Sequence, residues 1–399
     1  MINIAKIFVV LIVALLGKYV RDSFFASKEV KTNVLKKLHP KHSFSLNPLE
    51  VSKLGCSMDS YQVGNLYYNL RKKVLFSEVN LHELRNIIMV GGAGNCLYNF
   101  RPIIETFFNI KYDEYTWLVK RKNGISSALK VYASPISIKV FLKSIFLRKI
   151  KKIPIAYSTV NLNSKGYYHW IIEDLPRLAG YFEYCKITSS NPKILIDKDP
   201  PQWKIDTLLA LGINQKNLEI YNDDYIYHIE KLVLTDPMFQ YCHVPSRMSI
   251  EWLRCKILSS RKVKKCLAKR IYISRENSKY RKVSNEDAVM SLLERYGFQK
   301  YNLEHLSFDK KIDLFSNAEF IIGAHGAGLL HMIFSENAKV IELIDSMNVR
   351  SHQYYCLSSI MRHNYFYVCG KPISDLNGAA KEFNIDIKCL KNVLDQIIN

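Results

Sequence analysis

From Arg270 to Ile344 the chain alternates short apolar runs with amphipathic stretches, and no other feature constrains its fold as tightly. Arg270–Ser274 (RIYIS), Gln299–Leu303, Glu319–Ala324 (EFIIGA) and Lys339–Ile344 (KVIELI) read as strands. Ser284, with Asp287 three residues on, opens a helix running to about Tyr296 that Gly297 closes. Ser307–Asn317 reads as a second helix. After Ala324, a turn at His325-Gly326-Ala327-Gly328 leads into a short helix, Leu329–Phe334. Such alternation demands a parallel sheet flanked by helices, a doubly wound α/β domain. A fainter version precedes it: helical spacing over Tyr167–Tyr184 interrupted by Pro176, a strand at Lys193–Ile196, a helix at Trp203–Leu211, and strands at Leu218–Tyr221 and Lys231–Leu234. The expected organisation is therefore a β-rich region at 23–150, a first Rossmann-like domain at 151–245 and a second at 246–399.

Charge narrows the partners. The 399 residues hold 57 Lys and Arg against 36 Asp and Glu, a net charge of +21. That excess favours nucleic acid, an anionic membrane surface or a phosphorylated substrate. Arg261–Lys265 (RKVKK) is the most basic run, yet no helix-turn-helix, zinc-finger or RNA-recognition signature accompanies it, so nucleic acid is not the expected partner. The nine cysteines contain no C-x-x-C pair, which argues against a zinc ribbon or a thioredoxin-type site. Cys242-His243 lacks two further close ligands, and no metal site is expected. Gly91–Gly94 follow a β-like run without a helix behind them and read as a hairpin turn, not a phosphate loop.

The N-terminus carries an unbroken apolar run, Ile7–Leu16, short of the roughly 20 residues a spanning helix needs. No small-x-small cleavage site follows it. Residues 1–22 read as an uncleaved membrane-associated anchor, with a buried core element as the plain alternative. Lys18, Arg21, Lys28, Lys31, Lys36 and Lys37 follow the run and only Lys6 precedes it, which places the body on the cytoplasmic side. A lumenal body behind a signal anchor is the alternative. Scattered cysteines and the lack of Asn-x-Ser/Thr sequons lean the same way as the charge bias.

In open parallel sheets, ligands bind beyond the carboxyl ends of strands. Arg275 stands at one such end and His325-Gly326-Ala327-Gly328 at another. Small residues there let a diphosphate approach backbone N–H groups at a helix start, and a guanidinium adds bidentate bonds to phosphate oxygens. Glu342, on the next strand, is a candidate acceptor for ribose hydroxyls. Each has a plain reading too: a salt-bridged surface arginine, turn glycines, an edge glutamate.

Three ordered motifs resemble glycosyltransferase family 61. They are Tyr168–Leu178 (YHWIIEDLPRL), Ile271–Phe298 (IYISRENSKYRKVSNEDAVMSLLERYGF) and Phe320–Leu343 (FIIGAHGAGLLHMIFSENAKVIEL), within a resemblance spanning roughly residues 80 to 370. His331 departs from it, standing where members often carry a polar amide. The resemblance implies a GT-B fold of two facing Rossmann-like domains. It also implies an inverting, metal-independent transfer from a nucleotide-diphosphate sugar to a glycan or lipid-linked glycan, as in surface polysaccharide synthesis, with no cofactor beyond the donor. Arg275, Arg281 and the helix start at Gly326–Gly328 would then stabilise the departing diphosphate. The general base is sought on the first domain, where His169 and Glu173 lie four apart on one helical face. Either is the base, with the other orienting it, and His325 competes. A non-catalytic sugar-nucleotide-binding protein and a nucleic-acid-binding protein are the alternatives.

Overall fold

A computed structural model of the chain describes residues 33–40, 42–45, 73–76, 78–90, 95–98, 101–102, 149–160, 164–222, 224–240, 244–265, 268–345, 353–373 and 382–398. The expected anchor at 1–22, the glycine turn at 91–94 and Cys242-His243 lie outside them. Among the described residues no helix is long and apolar enough to cross a membrane. The fold is mixed α/β with two large sheets, each in its own compact unit.

The sheet of the first unit runs in the order Arg101–Pro102, Asn95–Tyr98, Val79–Val90, Ile226–Thr235, Ile150–Ser158, Lys193–Ile196, Leu218–Ile220, with Asn33–His39 also paired to Val79–Val90. Ile226–Thr235 joins its two halves, antiparallel to Val79–Val90 and parallel to Ile150–Ser158. The sheet thus takes strands from both sides of residue 150. The strand expected at Lys231–Leu234 extends back to Ile226, because Tyr227 and Ile229 continue the inward-facing alternation and are buried. The helix Leu178–Thr188 packs closely on this strand: a Cβ at Gly180 would overlap the Thr235 hydroxyl.

The stretch of helical spacing over Tyr167–Tyr184, expected to be interrupted at Pro176, is three short turns of different pitch followed by a helix. An α-turn at Tyr167–His169 passes into a wide π-turn at Trp170–Asp174, then a 3-10 turn at Leu175–Arg177, then the helix Leu178–Thr188. Pro176 has no N–H to give, so the regular ladder cannot pass through it. The wide turn just before it re-aims the side chains around Glu173.

In the second unit the five parallel strands lie in the order Gln299–Tyr301, Arg270–Ile273, Phe320–Ala324, Lys339–Asp345, Asn364–Pro372. Numbered along the chain, that order is 2-1-3-4-5, a doubly wound sheet whose winding reverses between Arg270–Ile273 and Phe320–Ala324. Phe320–Ala324 is buried throughout, as an interior parallel strand must be. Leu293, Ile322, Ile341, Val368, Leu390 and Leu394 are among the side chains closing the core on one face. Gly297 ends the helix Glu286–Arg295 in the left-handed region at φ +75°. The expected cap at Ser284 differs. The capping position is Asn285, whose amide instead pairs with the Ile385 backbone at 2.8 and 3.0 Å, while the Ser284 hydroxyl donates to the Phe383 carbonyl. Both side chains are taken by the backbone at Phe383 and Ile385, so neither serves the helix.

Candidate active site

The reversal point of the second sheet lies between the two strands whose carboxyl ends carry Arg275 and His325–Gly328. Ile273 and Gly323 are register partners there, and a Cβ at Gly323 would come within 3.0 Å of the Ile273 side chain. The chain beyond each strand is thereby brought together. The Arg275 guanidinium lies over Gly326, where a Cβ would overlap Nη1 and stand 2.6 Å from Cζ. Gly326 is extended, so glycine is needed here for the close approach and not for backbone strain. Arg275 donates through Nη2 to the Tyr280 carbonyl at 3.2 Å. Burial, and then the neighbouring positive charge of Arg281, pulls its pKa below the ordinary arginine value. Arg281 adopts φ +61°. The Nε atoms of both arginines are buried without a hydrogen-bond partner among the described residues. Two close cations with unmet donors are the electrostatic complement of an anion.

The 3-10 helix Ala327–Phe334 starts at this point, two residues earlier than the expected Leu329. His331 is 1% exposed, donates Nδ1–H to the Gly328 carbonyl at 3.0 Å and lies against Phe308 and Phe315. Burial pushes its pKa down to about 3, so it is a neutral packing group.

Glu342 is buried on Lys339–Asp345, not an edge residue facing water. One carboxylate oxygen accepts from His325 Nδ1 and the other from the Tyr365 hydroxyl. Its placement beneath His325 is different from an open ribose-contacting position. Tyr354 stands edge-on to His325 at 5.1 Å between ring centroids. Burial and then the Glu342 charge raise the Tyr354 pKa, while Arg281 and Arg275 pull it the other way.

A polar support behind Arg275 was not legible as such. Glu286 accepts from the Tyr272 hydroxyl at 2.8 Å, from Ser274 Oγ at 2.9 Å and from Lys300 Nζ at 2.7 Å. Ser274 Oγ in turn accepts from the Glu276 N–H at 3.2 Å, which fixes the turn carrying Arg275. The acidic residue in the first helical turn was the available signal.

On the first unit, His169 Nδ1 lies 2.9 Å from Glu173 Oε1. The Glu173 side chain is 3% exposed and that of His169 is 29% exposed, so the imidazole is the partner that meets solvent. Next to them Trp170 is fully buried with the Lys204 ammonium 4.3 Å from its ring centroid. Lys204 has no exposed surface and pairs with Asp197, whose carboxylate also accepts from Ser164 Oγ at 2.7 Å. Asp197 and Ser164 follow the strands Lys193–Ile196 and Ile150–Ser158, so this charged cluster sits at the carboxyl end of the first sheet. Asp224 donates its N–H to Asn222 Oδ1 at 2.9 Å, an Asx-type turn.

Residues 167–341 match the family model Glycosyltransferase 61. A stretch of 76 residues, 18% of the chain, is 41% identical to the EGF domain-specific O-linked N-acetylglucosamine transferase of Drosophila melanogaster. The aligned part covers 14% of that protein's length. The matched region begins at the His169 motif and ends one residue before Glu342, and it encloses the Arg275 and His325–Gly328 strand ends. The family model thus matches the same segment that carries the three motifs, over residues 167–341.

Proposed function

We propose that the protein is an inverting glycosyltransferase that moves a sugar from a nucleotide-diphosphate donor to a hydroxyl of a glycan or glycoconjugate. The observation that carries this reading is the Arg275 guanidinium laid on Gly326 at the reversal point of the second sheet. Breaking the sugar–phosphate bond leaves negative charge on the diphosphate. Arg275, Arg281 and the backbone N–H groups from Gly326 to Gly328 meet that charge, the task a divalent cation performs elsewhere. His169 and Glu173 are the proposed base pair for the acceptor hydroxyl. Glu173, buried and bonded to Nδ1, orients the ring, and the more exposed His169 takes the proton through Nε2. The GT-B arrangement, an N-terminal membrane association and a lipid-linked acceptor of surface polysaccharide synthesis extend this proposal on the family resemblance alone.

The test is a thermal-shift screen of the purified full chain against a panel of nucleotide sugars, followed by nucleotide release with candidate acceptors. Stabilisation by one donor class, lost in Arg275→Ala, is the expected result. Equal stabilisation of both proteins, or of neither, would remove the assigned donor site.

A further inference from the structure

Glu342 is a carboxylate with no exposed surface in a strand of apolar neighbours. Such a group persists only where hydrogen bonds and opposite charge replace the water it has lost. Both of its oxygens are engaged, one by His325 Nδ1 and one by the Tyr365 hydroxyl, so it has little left for a ligand. The His325 side chain is itself only 4% exposed and its backbone N–H bonds to the Leu343 carbonyl at 2.8 Å. An ionised carboxylate only accepts, so Nδ1 carries the proton in this pair. That leaves Nε2, which has no hydrogen-bond partner among the described residues and is not among the sealed polar atoms. It belongs to the loop whose next residue, Gly326, lies under Arg275.

We propose that Glu342 is a positioning residue and not a nucleotide ligand: it fixes the His325 ring so that Nε2 meets the departing diphosphate. This rests on the donor-site reading above. In the step, the bond from the anomeric carbon to the β-phosphate oxygen breaks, and its electron pair stays on that oxygen. The acceptor oxygen forms the new bond to the anomeric carbon and loses its proton to the general base. His325 donates Nδ1–H to Glu342, and Nε2 takes a proton from solvent as the diphosphate binds and shares it with the phosphate oxygens. Tyr365 holds the second Glu342 oxygen, and the Tyr354 ring flanks the imidazole. The arrangement is the carboxylate–imidazole logic by which an outer group sets tautomer and orientation.

The experiment uses the full chain with nitrogen-15-labelled histidine, read by long-range proton–nitrogen NMR, with His325 assigned by His325→Gln. Nδ1 is expected to be protonated in the free protein, and Nε2 to shift when uridine or guanosine diphosphate is added. An unprotonated Nδ1, or an Nε2 that ignores a bound nucleotide, overturns the proposal. If no nucleoside diphosphate binds, the donor-site reading has failed, while the Nδ1 result still judges the pair. Kinetics supply the second readout. His325→Gln should lower kcat about 100-fold and Glu342→Gln about tenfold, with donor KM within roughly threefold of the parent. The double variant should be no slower than His325→Gln alone, since the two act as one unit. A ribose contact predicts the opposite: Glu342→Gln would raise KM, hold kcat and add to His325→Gln. Should Glu342→Gln not fold, Tyr365→Phe loosens the same carboxylate without removing it. It should lower kcat about threefold, and an unchanged kcat would contradict the proposal.

Discussion

The two proposed functional clusters, one in each unit, are built by different means. On the second unit, Arg275 and Gly326 meet because two adjacent parallel strands end side by side and glycine lets a guanidinium rest on the backbone. On the first unit, His169 and Glu173 meet within a single irregular segment, and that segment rests on buried charge: Lys204 between Asp197 and the Trp170 ring. The donor-side geometry is thus set by topology and backbone, the base-side geometry by side-chain electrostatics. Topology is hard to perturb with one substitution away from the site. A buried ion pair is easy to perturb, since removing one partner strands the other.

The contrast breaks in order of size. His169→Ala and Glu173→Gln should each lower kcat by about 10²–10⁴ while leaving donor affinity intact, measured by steady-state kinetics beside nucleotide binding. Loss of donor binding in both would move them to the nucleotide site. Lys204→Met should destabilise the protein by about 3–5 kcal/mol in denaturant unfolding, because Asp197 is left buried with only a hydroxyl partner. A change below about 1 kcal/mol would mean the cluster does not support the segment. Gly326→Ala should lower kcat/KM by about 10²–10³ with almost no change in stability, since its Cβ meets the flexible end of Arg275 and only that group must move. A stability loss comparable to Lys204→Met would erase the distinction between the two clusters.

Near neutral pH the smallest effect is on pH dependence, and it grows as pH falls. His331 is neutral in the folded protein down to about pH 3, whereas in the unfolded chain it titrates near 6.5. Between those values the unfolded state binds the extra proton, so stability rises with pH through the window and is lost as pH falls from about 6.5 towards 3. The slope is about 1.4 kcal/mol per pH unit for this group. His363, also lowered by burial, adds to it in the same direction. His331→Asn should flatten the curve in pH-dependent unfolding, and an unchanged curve would show that other groups carry it.

How much of this was legible follows from the physics of each signal. Four of the five parallel strands of the second sheet were, because apolar runs between glycine and capping residues leave few alternatives; Arg270–Ile273 and Phe320–Ala324 fall within the expected spans, whereas Asn364–Pro372 was not among the expected strands. Their lateral order was not, since residues far apart in sequence decide which edges pair. The 2-1-3-4-5 winding therefore emerges only in three dimensions, although it is what brings Arg275 to Gly326. The four-residue spacing of His169 and Glu173 pointed to one helical face, and the two side chains do meet, but the π-turn between them was hidden behind Pro176. Glu342 shows the limit most clearly. Its place on the strand following the phosphate loop suggested an open acceptor, and only the packing of Tyr365 and His325 around it reveals both oxygens as taken. Lys204 and Asp197 carry ordinary sequence surroundings and gave no signal of burial.

Nucleoside diphosphate binding to the parent protein and to Arg275→Ala, by isothermal titration calorimetry at fixed salt, tests the central claim most directly. The account predicts binding by the parent and a weakening of at least tenfold in the variant, the loss of about 1.5–3 kcal/mol expected for a hydrogen bond to a charged group. Equal affinity in the two proteins would contradict it, because the diphosphate would then lie somewhere other than between Arg275 and the loop at Gly326.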